Sequence, residues 1–286
     1  MTKRIIIPKE IPTKELHQYI IGTVAPRPIA FVSTVDDHGV ENLAPYSFFN
    51  AFSSNPPILV FSSNRKVTDN STKDTLHNVR KTGEAVINMV SYNIVRQMSL
   101  ASVEFPSEVS EFTKTGLTPV ASDLVRPPAV LESPVNMECK VQDIITLGEH
   151  GGAGHLIICE VLRIKIAEEV FTNGKLDPHK LDLMGRMGRN YYVRASGAAV
   201  MEIYQSVTEI PLGFDGLPAH IRESTVLTGN EIAVLASLLQ LPDSAELDRF
   251  YDERPDLKNL DIIQKHRVAS ALIAEGKTAE ALCLLM

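Results

Sequence analysis

Two apolar runs, residues 135–147 and 154–168, flank Glu149-His150-Gly151-Gly152-Ala153, and this pairing constrains the fold more than any other feature of the chain. In the second run, HLIICEVLRIKI, the later half alternates: Val161, Arg163 and Lys165 against Leu162, Ile164 and Ile166. Successive side chains of a strand point to opposite faces, so a period of two predicts one face on a core and one in solvent. Joined by a glycine-containing turn, the two runs predict a long β-hairpin.

Shorter runs of the same kind precede it. Residues 28–35 (PIAFVSTV) and 57–62 (PILVFS) are rich in β-branched and aromatic residues and begin at proline, which a strand tolerates at its first position. Asp36-Asp37-His38-Gly39 reads as a hairpin turn in which Gly39 supplies a positive φ. Residues 40–50 then return antiparallel, with Pro45 expected to interrupt their ladder, and 84–90 form another strand. Ser71 and Asp74 read as a capping box opening a helix that ends at Gly83, and 91–102 suggest a second helix. Several short strands with few helices point to an all-β barrel rather than to alternating βαβ units.

The pattern changes near residue 200. Residues 230–240, 243–252 and 258–286, the last broken at Gly276, read as helices, with Leu260, Ile263, Val268, Ala271 and Leu272 roughly at helical spacing. Residues 260–286 look like one helix-turn-helix unit, and one copy is not a repeat array. The expected organisation is a β domain over 1–200 and a helical extension over 201–286.

The function classes narrow by elimination. A net charge of −7 gives no general attraction to nucleic acid or to an anionic membrane, and neither is expected as a partner. Cys139, Cys159 and Cys283 are too few and too scattered for a disulfide framework or a zinc site, so no metal and a reducing cytoplasm are expected. The apolar run after Lys3-Arg4 is short for a signal peptide, and no stretch is long enough to span a bilayer. No G-x-G-x-x-G follows a strand, and Walker A, H-E-x-x-H, G-x-S-x-G and paired C-x-x-C motifs are missing. A redox enzyme using a bound cofactor is untouched by these gaps, because the cofactor brings its own reactivity.

An ordered series of stretches across residues 12–195 resembles the flavin reductase-like family. The series runs through Ala25–Thr34 (APRPIAFVST), Gly39–Asn50 (GVENLAPYSFFN), Asn55–Val60 (NPPILV), Lys73–Val79 (KDTLHNV) and Thr82–Asn88 (TGEAVIN). Later markers are Glu111-Phe112, Gly116–Pro119, Glu132–Pro134, Glu138–Lys140, His155, Glu160-Val161 and Gly185–Tyr191 (GRMGRNY). The resemblance implies a mainly β fold, an FMN-binding split β-barrel, here with a C-terminal α-helical extension. It implies a homodimer with FMN as cofactor, NADH or NADPH as electron donor, and an acceptor that includes a partner oxygenase or other electron-accepting protein. The residues after about 200 lie outside it.

The resemblance also assigns candidate residues. Asn42, Ala44, Pro45, Tyr46, Ser47 and Phe48 would lie along the flavin ring, where a proline-disturbed strand frees backbone groups; alone, the segment reads as an ordinary edge strand. Ser62, Ser63, Arg65 and Lys66 follow a strand, and Lys73 and Thr75 open a helix whose N–H groups suit a phosphate. The bland alternative is a solvated loop and a cap, with Asp74 capping. His155 is the candidate catalytic residue, placed to bond the flavin or a nicotinamide, or else a polar strand-start residue at the surface. Arg186 and Tyr191 would close over the cofactor, or form a basic turn ending the barrel. Cys139 and Cys159 read as small core residues. Two other readings share these features: a non-catalytic FMN carrier, and an interaction protein docking a partner through its helical tail.

Overall fold

The computed structural model describes residues 1–203 and 208–286, which divide into two compact units, Met1–Met201 and Glu202–Met286. The first contains helix α1 (Thr13–Thr23) and strands β1 (Ala30–Val35), β2 (Glu41–Tyr46), β3 (Phe49–Ser54) and β4 (Pro57–Ser62). Helix α2 (Asp74–Thr82), β5 (Glu84–Met89), α3 (Val95–Leu100) and α4 (Glu111–Thr115) follow. After the small pair β6 (Pro119–Val120) and β7 (Ala129–Val130) come the long strands β8 (Val135–Thr146) and β9 (His155–Ile166). The unit ends with β10 (Phe171–Thr172), β11 (Lys175–Leu176), α5 (Pro178–Leu181), β12 (Met184–Arg186) and β13 (Tyr192–Arg194).

Seven antiparallel strands form one sheet in the order β2-β1-β5-β8-β9-β4-β3. Its two edge strands are consecutive in the chain and joined only by Ser47 and Phe48. In a flat sheet the edges would stand about 29 Å apart, whereas the link from Tyr46 to Phe49 reaches about 11 Å. The sheet must therefore curl until its edges approach. That is a split barrel.

Alternation along β1 shows how the barrel is filled. Ala30 and Val32 join one buried cluster with Tyr46, Phe61, Ile87, Met137 and Ile157. Ile29 and Phe31 join a second, with Leu43, Met98, Phe112 and Val130. A central strand buried on both faces carries apolar residues at every step. The hairpin of β8 and β9 is as expected, with bulges at Glu138/Cys139 and Val141/Asp143. The core-and-solvent alternation expected in the later half of β9 is not seen: Leu162, Arg163 and Ile164 are all exposed, Leu162 and Ile164 at 42% and 52%.

Three local expectations need correction. Residues 40–50 are not one returning strand: β2 ends at Tyr46, and Phe49 and Asn50 begin β3 on the opposite edge of the sheet. Pro45 does not interrupt a ladder: β1 and β2 stay in register from Ala30↔Tyr46 to Val35↔Glu41, with Pro45 opposite Phe31. The Leu43 N–H points off the sheet edge to Glu111 (2.8 Å). Pro45, two residues on, faces the same way, so its missing N–H costs no ladder bond. Ser71 is not a helix cap either. Asp69 captures its hydroxyl (2.6 Å), and α2 starts from Lys73 with no side-chain cap. Gly83 does end the helix, at φ 68°.

The second unit holds α6 (Ala219–Arg222), α7 (Gly229–Ala236), α8 (Ser244–Glu253), α9 (Ile262–Ala274) and α10 (Thr278–Leu285). Thr228/Glu231, Asp243/Glu246 and Asp261/Gln264 form reciprocal capping boxes on α7, α8 and α9. Ala281 to Leu285 are all buried, which makes α10 the axis of a core including Ile221, Leu235, Phe250 and Leu272. No helix among the described residues is long and apolar enough to cross a membrane.

Glu138, 1% exposed, accepts hydrogen bonds from Asp123 N and Leu124 N (2.7 Å to the latter) and pairs with Lys165 at 3.2 Å. Burial alone would raise its carboxyl, but these donors outweigh burial and hold it below the ordinary glutamate range. Glu138→Ala orphans two N–H groups and should cost about 2 kcal/mol in urea unfolding at neutral pH. A depressed carboxyl stabilises above the unfolded-state pKa and loses that contribution as pH falls through the lower folded value. The gap between wild type and variant should therefore narrow in acid. In the second unit, Asp261→Ala removes a capping box and should cost about 1 kcal/mol, read in the same way.

Candidate functional site

The edge strand β2 and the uncapped start of α2 frame two adjoining recesses that share Lys73. One, of about 280 Å³, is lined by Asn42, Ala44, Lys66, Lys73, Thr75 and Glu111 among others. The other, of about 270 Å³, is lined by Pro45, Tyr46, Ser47, Phe48, Ser62, Lys73 and Arg186, together with His17, Arg27 and Asn64. A larger hollow of about 780 Å³, lined by Arg96, Tyr191 and Tyr192, shares Arg186 with the second recess.

Most of the expected residues are thus brought together, and four are not. Ser63 continues the pairing of β4 with β9 through its backbone (N to His155 O, 3.1 Å), and its buried hydroxyl has no partner. Arg65 turns to the Asn70 carbonyl (3.1 Å). His155 is fully enclosed, against the surface expectation. Its Nδ1 lies 2.9 Å from the Ser63 carbonyl. A carbonyl only accepts, so Nδ1 carries the proton, and Nε2 is left without a partner. The ring thus touches the loop backbone, which makes it a positioning group for residues 62–66. Tyr191, 67% exposed, lies in the larger hollow.

The cations differ in what holds them. Lys66 is spent on Glu104 (2.7 Å). The Lys73 side chain makes no ion pair or hydrogen bond among the described residues; its Nζ stands 5.3 Å from the Tyr46 ring centre. Burial pushes its amine below the ordinary lysine range. Beside it, the first N–H groups of α2 lack a side-chain cap. A half-buried cation without an ion pair, at an uncapped helix start of nine residues, is an arrangement that suits an anion.

The other recess is aromatic. Arg27, 6% exposed, donates to the carbonyls of Ile21 (2.6 Å), Val24 and Met187 (3.2 Å). Its guanidinium lies 5.8 Å from the centre of the Phe48 ring. Burial, then the charge of Arg186, pushes Arg27 below its usual range. His17 stands 6.2 Å from Phe48, and burial followed by Arg27 lowers its imidazole below the ordinary histidine range. The Tyr46 hydroxyl is pushed up to about 12 by burial and sits near the hydroxyls of Thr75 and Ser63 without a hydrogen-bond partner.

Below the site, the β8–β9 turn packs on the 62–67 loop. A Cβ at Gly154 would lie 2.5 Å from Ser62 Oγ, and one at Gly151 2.8 Å from the Lys66 carbonyl. Side chains are excluded there, so the loop is held in place.

Arg27, His17, Asn64 and Glu111 belong to the site without having been singled out for it. Arg27 and Glu111 stand in stretches that carry the family resemblance, but nothing local marks a role. Glu111 is buried, and its carboxylate accepts from Leu43 N (2.8 Å) and from Asn42 Nδ2 (3.2 Å to each oxygen). Burial pushes its carboxyl up despite these bonds. Asn42 is engaged at both ends, since its Oδ1 accepts from Thr75 Oγ1 (2.7 Å). No cluster of His, Cys, Asp and Glu among the described residues is arranged to hold a metal ion.

An aromatic recess continuous with an anion site fits a planar cofactor bearing a phosphate. Residues 22–186 match the model of the flavin reductase like domain. An uncharacterized protein of Aquifex aeolicus is 40% identical over 197 residues, 68% of this chain and 97% of that protein. The structure of nitrilotriacetate monooxygenase component B from Bacillus cereus superposes with a TM-score of 0.66 at 31% identity, covering 72% of this chain and all of that one. The 2-nitrobenzoate 2-nitroreductase NbaA of Pseudomonas fluorescens gives 0.62 at 26%, over 70% of this chain and 96% of that one. With its split barrel and this extent of matching, the chain belongs to the flavin reductase-like family.

Proposed function

We propose that the first unit binds FMN across the two recesses and works as an NAD(P)H-dependent flavin reductase, handing electrons to an acceptor or a partner oxygenase. The observation that carries this reading is Lys73: a half-buried ammonium without a counter-ion, at an uncapped helix start, beside the Tyr46 and Phe48 rings. Lys73 and the α2 N–H groups would hold the phosphate, with Ser62 and Asn64 at the floor. Pro45, Tyr46, Ser47 and Phe48 would bear on the ring, and Arg27 and Arg186 would face its polar edge. The sequence carries no adenine-site pattern and the recess beside Lys73 is small, about 280 Å³, which favours FMN over FAD. A bound flavin supplies two-electron chemistry that needs no side-chain nucleophile.

The chain's own residues provide the rest. Arg27 ties α1 and the Met187 turn against Phe48, closing that end of the recess. His17 adds its ring to the Phe48 side of the recess. His155 fixes the 62–66 loop through the Ser63 carbonyl. The wide hollow beside Arg186 leaves room for a donor or acceptor next to the ring site.

A homodimer belongs to this proposal. Edge strand β3 is exposed along most of its length, with Phe52 at 69%, and Leu162 and Ile164 are bare on β9. An apolar, unpaired edge of this kind favours burial against a second copy. Buried thiols at Cys139 and Cys159 suit a reducing cytoplasm.

Two measurements test the reading. Lys73→Met should weaken FMN binding by roughly tenfold or more, about 1.4 kcal/mol, and leave riboflavin, which lacks the phosphate, unchanged. Equal loss for both flavins would remove Lys73 from the phosphate. Anaerobic NADH or NADPH should bleach the yellow holoprotein; a colour unmoved by either donor would leave a carrier, not a reductase.

A further inference from the structure

We propose that Glu111 is a positioning residue for the phosphate end of the cofactor, acting through Asn42 and Thr75 on the first turn of α2; this rests on the flavin reading above.

Glu111 opens α4, 69 residues from Asn42 in sequence. Its carboxylate is buried at 7% exposure, and no ammonium or guanidinium among the described residues pairs with it. Three N–H···O contacts from Leu43 and Asn42 are its compensation. Packing alone would be served by an apolar side chain of similar size, which carries no desolvation cost. A retained, unpaired carboxylate points to what it does for its partners.

What it does is set polarity. A carboxylate accepts only, so it turns the Asn42 amide to face it with Nδ2. Oδ1 is then directed at Thr75, whose hydroxyl donates to it at 2.7 Å. The one hydroxyl hydrogen of Thr75 is thereby used, and Thr75 presents its backbone N–H, not its side chain, to an anion. Thr34 joins the same oxygen at 3.4 Å and accepts from Asn78 Nδ2 at 3.0 Å, which ties α2 at a second point one turn on. The phosphate-facing turn of α2 is thus fixed to strands β1 and β2 by a chain of bonds that Glu111 orients. Glutamine at this position would bring its own N–H donors and turn Asn42 over, so that Asn42 Nδ2 faces Thr75 and the hydroxyl hydrogen of Thr75 is no longer held.

The test uses Glu111→Gln, Glu111→Ala and Asn42→Ala in the full chain, with two readouts. In hydrogen exchange without added flavin, the peptide covering 72–80 should exchange about tenfold faster in each variant, while the 155–162 peptide of β9 is unchanged. In flavin titrations, preference for FMN over riboflavin should fall about tenfold, riboflavin affinity should hold, and Glu111→Ala with Asn42→Ala should lose no more than either alone. Unchanged exchange in α2, an unchanged preference, or equal weakening of both flavins overturns the proposal. Should Glu111→Ala not fold, Glu111→Gln, which keeps an acceptor for Leu43 N, decides by the same criteria. A wild-type chain that takes up neither flavin overturns the flavin reading; the exchange result then decides the Glu111 linkage by itself.

Discussion

Ser47 and Phe48 join two strands that stand at opposite edges of a seven-stranded sheet. That short covalent link cannot be satisfied by a flat sheet, so curvature is imposed on every strand between. The seam left open between β2 and β3 is where the sheet has no further strand to pair with. Backbone groups on that seam need other partners or water, and the candidate site is built there.

The way β2 meets this need connects folding to function. Its outward Leu43 N–H is taken by Glu111, and Pro45 has no N–H to satisfy. A residue usually disruptive in a sheet is placed where it leaves nothing unpaired. The same edge then offers Tyr46, Ser47 and Phe48 to an aromatic recess and Asn42 and Ala44 to a polar one. Lys73 sits where the two meet. Its charge is left unneutralised because the acidic groups around it are engaged elsewhere: Glu104 with Lys66, Asp74 with Ser107, Glu111 with β2. An ammonium kept partly dry and unpaired is costly unless something anionic shares the site.

Legibility in the sequence tracked how local the cause was. The turn at Gly39, the helix stop at Gly83 and the β8–β9 hairpin each depend on a few adjacent residues, and each was readable. The three capping boxes of the second unit mark helices expected from spacing alone. Ser71 was misread because two acids within reach, Asp69 and Asp74, offered the same pattern, and Asp69 wins its hydroxyl. The surface reading of His155 rests on a strand start being usually exposed; here the strand start is covered by Ser63 and the loop behind it.

By itself the sequence determined the strands, their turns, the helical tail and, through an ordered set of short motifs, the family. These follow from periodicity, proline and glycine geometry and neighbouring side chains, all properties of contiguous residues. Only the tertiary structure decided which of Arg65, Lys66 and Lys73 remains without an acidic or carbonyl partner, that Arg27 walls the aromatic recess, and that Glu111 reaches Asn42. Those outcomes depend on which distant groups a curled sheet brings within hydrogen-bond distance, and no local pattern encodes that distance.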